Sequence, residues 1–330
     1  MIAAVPTLSR RSFLAASAGV ALGAAGCRRP PYRRNAFMLP AESPVVALGA
    51  AAYDADFAEL IGAGLRELQL DVRDQRVLLK PNLVEYEPGS VINTHPNVVV
   101  GAAIAFRRAG AREVVVAEGP GHRRDLEYLM ASTGMLQALA GERVTFVDLN
   151  HDDVRPVALR SWFTALSELA LPEALLSADL VVSMPKLKTH HWAGITCSMK
   201  NLFGVVPGAV YGWPKNLLHF RGIDESILDL VATVRPGLAI VDGVVGMEGD
   251  GPIMGQPKHA GVVLLGRDPV AVDACAARVM GLRPERIRYI AEAARFLGNV
   301  DQARIPMRGE RLDRFVTPFD VLPAFAGLRA

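Results

Sequence analysis

The chain has 330 residues, 51% of them apolar and 21% charged, so it can bury a full core without disulfide or metal staples. Its 36 basic and 34 acidic residues nearly balance, which excludes the strongly basic character of a nucleic-acid binder. That length suits one large α/β domain or two smaller lobes.

Residues 1–26 read as an export leader. Ser9-Arg10-Arg11-Ser12-Phe13-Leu14 is followed by Ala15 to Gly26, a run made almost wholly of Ala, Gly, Leu and Val. The paired arginines before Phe-Leu resemble a twin-arginine signal, which carries folded proteins across a membrane. The apolar run is too short and too rich in small residues for a spanning helix. Its exit, Ala24-Ala25-Gly26-Cys27, resembles a lipobox, in which Cys27 would be lipidated; the alternative is ordinary cleavage among the small residues. The expected location is therefore periplasmic, either soluble or membrane-anchored as a lipoprotein. Residues 27–43 follow as a basic, Pro-rich tether, Arg28-Arg29-Pro30-Pro31-Tyr32-Arg33-Arg34, suited to an anionic membrane surface. Beyond it the chain is slightly acidic.

From residue 44 to 330 short apolar runs alternate with helical periods. Strands are expected at 45–51, 76–80, 113–118 and 144–149, with helices at 55–69, 96–109 and 126–140 between them. The second half continues with strands at 180–184, 238–242 and 261–266 and helices near 223–234, 270–280 and 287–297. Strands this apolar, interleaved with helices, predict an α/β fold: a mostly parallel sheet covered by helices on both faces. Residues 151–175 are the least regular and would separate two lobes, 44–150 and 176–330.

In such sheets ligands gather at the loops after the carboxyl ends of the strands. Those loops contain Lys80-Pro81-Asn82, then Glu118 through Gly121 to His122. Further on come "PKLKTHHWAGITCSMKNLFG" at 185–204, Asp242-Gly243 and Asp268-Pro269. The chain uses 30 arginines but only six lysines, Lys80, Lys186, Lys188, Lys200, Lys215 and Lys258. Three of the six fall within 186–200, a window without arginine. Lysine is a compact charge whose pKa falls on burial, so it can bind anions or act as acid or base. If 184–191 is extended, Lys186, Lys188 and His190 share one face. Thr196 or Ser198 would cap a short helix starting near Met199, leaving N–H groups beside Lys200 and Asn201 for a carboxylate or phosphate.

Asp273 stands in an apolar helix start capped by Asp268, and a buried carboxylate needs a partner, for which a scarce lysine is the expected choice. A divalent ion could be held by Asp242 and Glu248 with the anionic ligand, and His95, His190, His191 and Asp250 supply further ligand types, although no tight metal motif occurs. Cys197 could act as a nucleophile with His190 or His191 as base, or pair with Cys275 in a disulfide, but buried packing is the commoner fate of a free cysteine. Without CxxC or cluster spacing, this chain carries no iron–sulfur centre of its own.

The ordered set of motifs is similar to the family called domain of unknown function 362. It comprises Lys80-Pro-Asn82, Thr94-x-Pro96, Gly110-Ala111, Pro185-Lys-Leu-Lys-Thr-His190, Met199-Lys-Asn201 with Gly204, and Asp242-Gly243. Glu248-Gly-Asp-Gly-Pro252, Asp268-Pro269, Asp273 and Met280-Gly281 complete it. The resemblance covers residues 76–281 and implies a ligand site without naming a reaction. It also implies a link to ferredoxin-type clusters in some members, so electron transfer here would need a redox partner protein.

The expected function is an exported enzyme acting on an anionic small molecule or cofactor. Lys186, Lys188, Thr196, Lys200, Asn201 and Asn82 would hold the anion, and Lys80, His190, Asp242 and Asp273 would serve as acid, base or metal-facing groups. The alternative is a lipid-tethered protein that binds such an anion without turnover.

Overall fold

The computed structural model describes residues 30–121 and 125–330; the leader, Cys27 and His122 lie outside these described residues. Along the chain, β1 (Val45–Gly49) leads to α1 (Phe57–Glu67), β2 (Arg76–Pro81) to α2 (Pro96–Arg108), and β3 (Glu113–Glu118) to α3 (Leu126–Ser132). A second helix, α4 (Met135–Gly141), precedes β4 (Thr145–Asp148). Capping sets the helix starts: the Asp56 carboxylate accepts from the Glu59 N–H, and that of Asp125 from the Tyr128 N–H. The single helix expected over 126–140 is broken because Gly134 takes a left-handed conformation, φ 74°, that ends one helix and starts the next.

Residues 151–175 form an antiparallel hairpin, β5 (Val154–Ala158) with β6 (Glu168–Pro172), as a separate two-stranded sheet. There follow β7 (Leu180–Met184), β8 (Lys186–His190) and β9 (Gly194–Thr196), a 3-10 helix at Lys200–Val205, and α5 (Ile223–Val234). The chain continues through β10 (Leu238–Glu248), β11 (Gln256–Gly266), α6 (Pro269–Val279), α7 (Arg288–Ala293) and β12 (Met307–Gly309). β10 and β11 are longer than their apolar cores because they pair with each other past the last buried residues.

The main sheet runs β12-β1-β11-β10-β7-β2-β3-β4, with β8 joined to β10 and β9 to β8. Strands β10, β7, β2, β3 and β4 are mutually parallel, whereas β11 runs antiparallel to both β1 and β10. The fold is therefore α/β with a mixed, mostly parallel sheet between helices. Segments from 44–150 and 176–330 share this one sheet, since β2 lies between β7 and β3.

Alternation along each strand divides the core into two layers. Val77 and Leu79 of β2, with Val263 and Leu265 of β11, pack against α1, α2 and α4. Leu78, Val262 and Leu264 face the other way, toward α5, α6 and α7. Lys80 follows Leu78 by two positions and thus enters the interior on the second face. The 30–43 part of the basic tether lies against the domain: Tyr32 stacks on Phe296 at 4.0 Å, and the Trp162 N–H donates to the Pro31 carbonyl at 2.8 Å. Its Arg33 and Arg34 remain exposed. No helix among the described residues is long and apolar enough to cross a membrane.

Candidate functional site

β2, β3 and the β8–β9 hairpin end around a cavity of about 240 Å³ closed below by the 3-10 helix. Its polar lining comes from Asn82, Glu118, Lys188, His190, His191, Thr196, Lys200, Asn201, Lys215 and His219; Trp192, Phe203 and Ile253 supply apolar wall. Trp192 is largely exposed.

Lys188 is fully buried on β8, and its Nζ donates to the carbonyls of Ile92 at 2.8 Å and Pro252 at 3.3 Å. No carboxylate pairs with it among the described residues. Burial, then the charges of Lys200 and Lys186, push it well below the ordinary lysine range. His190 lies two residues on and is also buried. Its Nδ1 accepts from the backbone N–H groups of Trp192 at 3.0 Å and Ala193 at 3.2 Å. That assignment places the proton on Nε2, making the imidazole a donor. Burial and then the Lys200 charge hold the ring neutral, well below the usual histidine range.

Lys200 is half-buried, with its ammonium 4.5 Å from the centre of the Phe203 ring. Burial and, after it, the Lys80 charge lower it to about 8. Asn82 Oδ1 and Thr196 Oγ1 are buried in the lining without a hydrogen-bond partner. Such orphans are uncommon in folded proteins.

Beneath the cavity, Lys80 donates to Glu118 Oε2 at 2.5 Å, the Pro81 carbonyl at 3.1 Å and Asn201 Oδ1 at 3.2 Å. Asn201 returns its amide N–H groups to the Lys80 carbonyl and Ser183 Oγ, at 3.0 and 3.1 Å. Burial raises the Glu118 carboxyl above its usual range, with Lys80 the main opposing influence. Lys215 donates to the carbonyls of Gly119, Gly204 and Val206. Burial lowers it to about 7, with Glu118 opposing. Gly204 is needed here because a Cβ would overlap Glu118 Oε1 and Lys80 Nζ.

Several expected site residues stand elsewhere. Lys186 turns from the cavity to a closed network, donating to Asp242 Oδ2 at 2.6 Å, Tyr53 Oη at 2.7 Å and the Val245 carbonyl at 3.2 Å. Asp242 also accepts from Tyr53 Oη at 2.9 Å and the His95 N–H at 2.9 Å. Neither residue lines the cavity, because β10 draws both into its junction with β8. Glu248 pairs with Lys258 at 3.2 Å and accepts from the Asp320 N–H. Asp242 and Glu248 thus have separate partners, and no three His, Cys, Asp or Glu side chains converge among the described residues.

Asp273 has no lysine partner. It accepts from the Ser198 N–H at 2.8 Å, Ser198 Oγ at 2.5 Å and the Met199 N–H at 3.2 Å, fixing the turn into the 3-10 helix from below. Burial raises it to about 6 against those hydrogen bonds. Neither Thr196 nor Ser198 caps the 3-10 helix, because Thr196 faces the cavity and Ser198 serves Asp273. Cys197 and Cys275 are both buried free thiols, not a disulfide. Burial holds the Cys197 thiol well above its usual range and the chain seals it from the cavity, so it is no nucleophile. His191 sits at the rim, 3.1 Å from Asp250.

Glu118, in an expected ligand loop, and Lys215, one of the scarce lysines, carried no expected role in the site. Glu118 ends a buried strand beside the one ending in Lys80, and Lys215 is among the few lysines, so both carried a readable signal.

A thylakoid-associated protein of Synechocystis sp. is 29% identical over 266 residues, 77% of this chain and 79% of that protein. Among solved structures, the lactate racemase apoprotein from Thermoanaerobacterium thermosaccharolyticum is similar with a TM-score of 0.38 and 15% identity, over 68% of this chain. A Thermotoga maritima protein gives 0.34 and 12%, over 67%. The chain spans only 56% and 57% of those two. The pattern of the family described as domain of unknown function (DUF362) matches residues 77–278, more than half of the chain, and the protein belongs to that family.

Proposed function

We propose that the cavity binds a small molecule carrying a carboxylate or phosphate, and that the protein is an enzyme acting on it. The observation that carries this is the pair Lys188 and Lys200, which line the cavity without a carboxylate partner, beside the orphaned Asn82 Oδ1 and Thr196 Oγ1. Glu118 already faces Lys80, so an anion is the group that balances the charge left on Lys200. In this reading Lys200 holds the anion and the His190 Nε2–H donates to a second ligand oxygen. Asn82 Oδ1 accepts from a ligand hydroxyl or amine, and Thr196 can donate or accept there. Lys80, Asn201, Glu118 and Asp273 hold this constellation rigid from below. The twin-arginine pattern and Cys27 support export and membrane anchoring as part of the same proposal.

Thermal unfolding with phosphate and with pyruvate tests the binding step. A ligand at a hundredfold excess over its Kd adds about 2.7 kcal/mol. Lys200→Ala should lose that increment while its ligand-free transition stays cooperative. An unchanged increment in Lys200→Ala, or none with either anion in the parent chain, refutes the assignment.

A further inference from the structure

The buried lysines differ in one countable respect. Lys80, Lys186 and Lys215 each donate to three acceptors, the full requirement of an ammonium group. Lys188 is equally buried but has only two, the Ile92 and Pro252 carbonyls. Two N–H donors and one lone pair are what a neutral amine possesses. Lys188 lines the cavity, so the position its two carbonyls leave over is available to a bound molecule.

We propose that Lys188 is a nucleophile that forms an imine with the carbonyl group of a 2-oxo acid held in the cavity. This rests on the anion-binding reading above: the carboxylate would sit on Lys200, presenting the adjacent carbonyl to Lys188. The Nζ lone pair forms the N–C bond as the C=O π electrons move to oxygen, which takes a proton from the Lys200 ammonium while the His190 Nε2–H hydrogen-bonds to it. The nitrogen then loses a proton to the Lys200 amine, which passes it to the hydroxyl; water leaves as the nitrogen lone pair closes the C=N bond, giving a protonated imine. Amine and carbonyl give imine and water, with no oxidant or reductant consumed. A protonated imine withdraws electrons from the neighbouring carbon, which is what proton abstraction or bond cleavage beside a carbonyl needs. Burial and the nearby Lys200 and Lys186 charges favour the neutral amine, as the attack requires. A cavity of about 240 Å³ suits a small substrate, since sites for drug-sized molecules run from about 300 to 1,000 Å³.

The test is borohydride reduction of the full chain with pyruvate and, separately, with glyoxylate, followed by peptide mass mapping. The reduced adduct is expected on Lys188 and not on Lys258, and it should disappear in Lys188→Met and in Lys200→Ala. The map of the unmutated chain decides the matter even if Lys188→Met does not fold. Labelling spread over Lys258 and Lys188 alike overturns the proposal. If phosphate or pyruvate raises the unfolding temperature but Lys188 stays unmodified with both oxo acids, the imine is refuted while the anion site stands. If neither anion stabilises and no adduct forms, both fall.

Discussion

Replacing Lys80 by Met removes a charge but keeps most of the side-chain volume, and it separates a scaffold role from a ligand-binding one. In the folded protein it takes three hydrogen bonds from the interior and leaves Glu118 without its partner 2.5 Å away. Breaking a buried pair from one side costs about 3–5 kcal/mol. Glu118 can soften this by staying protonated, since burial already raises its pKa. The sign follows: the folded variant keeps a proton that the unfolded chain releases above the usual Glu value. Stability of Lys80→Met should therefore fall as pH rises from 5 to 8. Adding Glu118→Gln removes the stranded carboxylate and keeps an acceptor for the Gly119 N–H, now 3.0 Å from Glu118 Oε1. The double variant should recover about 2 kcal/mol relative to the sum of the singles. Urea unfolding at pH 5 and pH 8 measures all four proteins. Singles within about 1 kcal/mol of the parent, or strictly additive losses, would refute the reasoning. The double variant should also keep its anion-dependent stabilisation, and losing it in a folded protein would place Lys80 or Glu118 among the ligand contacts.

Two further outcomes follow from the same geometry. Anion affinity should be flat below pH 8 and decline above it, by up to about tenfold per pH unit, because Lys200 loses its charge near 8 in the free protein and binding favours the charged form; calorimetry from pH 6 to 10 would show this, and affinity that rises above pH 8 would contradict it. Asp242→Ala strands Lys186 and should cost about 3–5 kcal/mol in urea unfolding. The folded fraction should nevertheless bind the anion with unchanged affinity, and a selective loss of binding would place Asp242 in the site.

Much of this architecture is legible from strand periodicity. β3 and β7 fall on the expected residues, because a continuous apolar run between turn signals admits little freedom in a doubly covered sheet. The lysine count also singled out segments that line the cavity, through Lys188, Lys200 and Lys215. It could not separate the roles of these lysines, because partners arrive from far along the chain: Glu118 is 38 residues from Lys80, and Asp242 is 56 from Lys186. Adjacent β8 positions two apart, Lys186 and Lys188, thus diverge into a closed network and an open cavity. Asp273 was recognisable as a buried acid, but the Ser198 hydroxyl and two backbone N–H groups satisfy it, and the backbone groups leave no trace in side-chain identity. The β5–β6 hairpin was hidden by its composition, since Pro156 and Pro172 lie within strands only five residues long.

The ring of Phe203 gives Lys200 a property that a solvated surface lysine lacks. An aromatic face 4.5 Å from the ammonium stands where several water molecules would otherwise sit. In the proposed site an arriving anion would have less hydration to strip away and would find the cation held near one orientation. The barrier to capture would be lowered before the ligand arrives, at the expense of charge stability in its absence. Selectivity for a weakly hydrated carboxylate over a strongly hydrated inorganic ion would arise at this one aromatic contact.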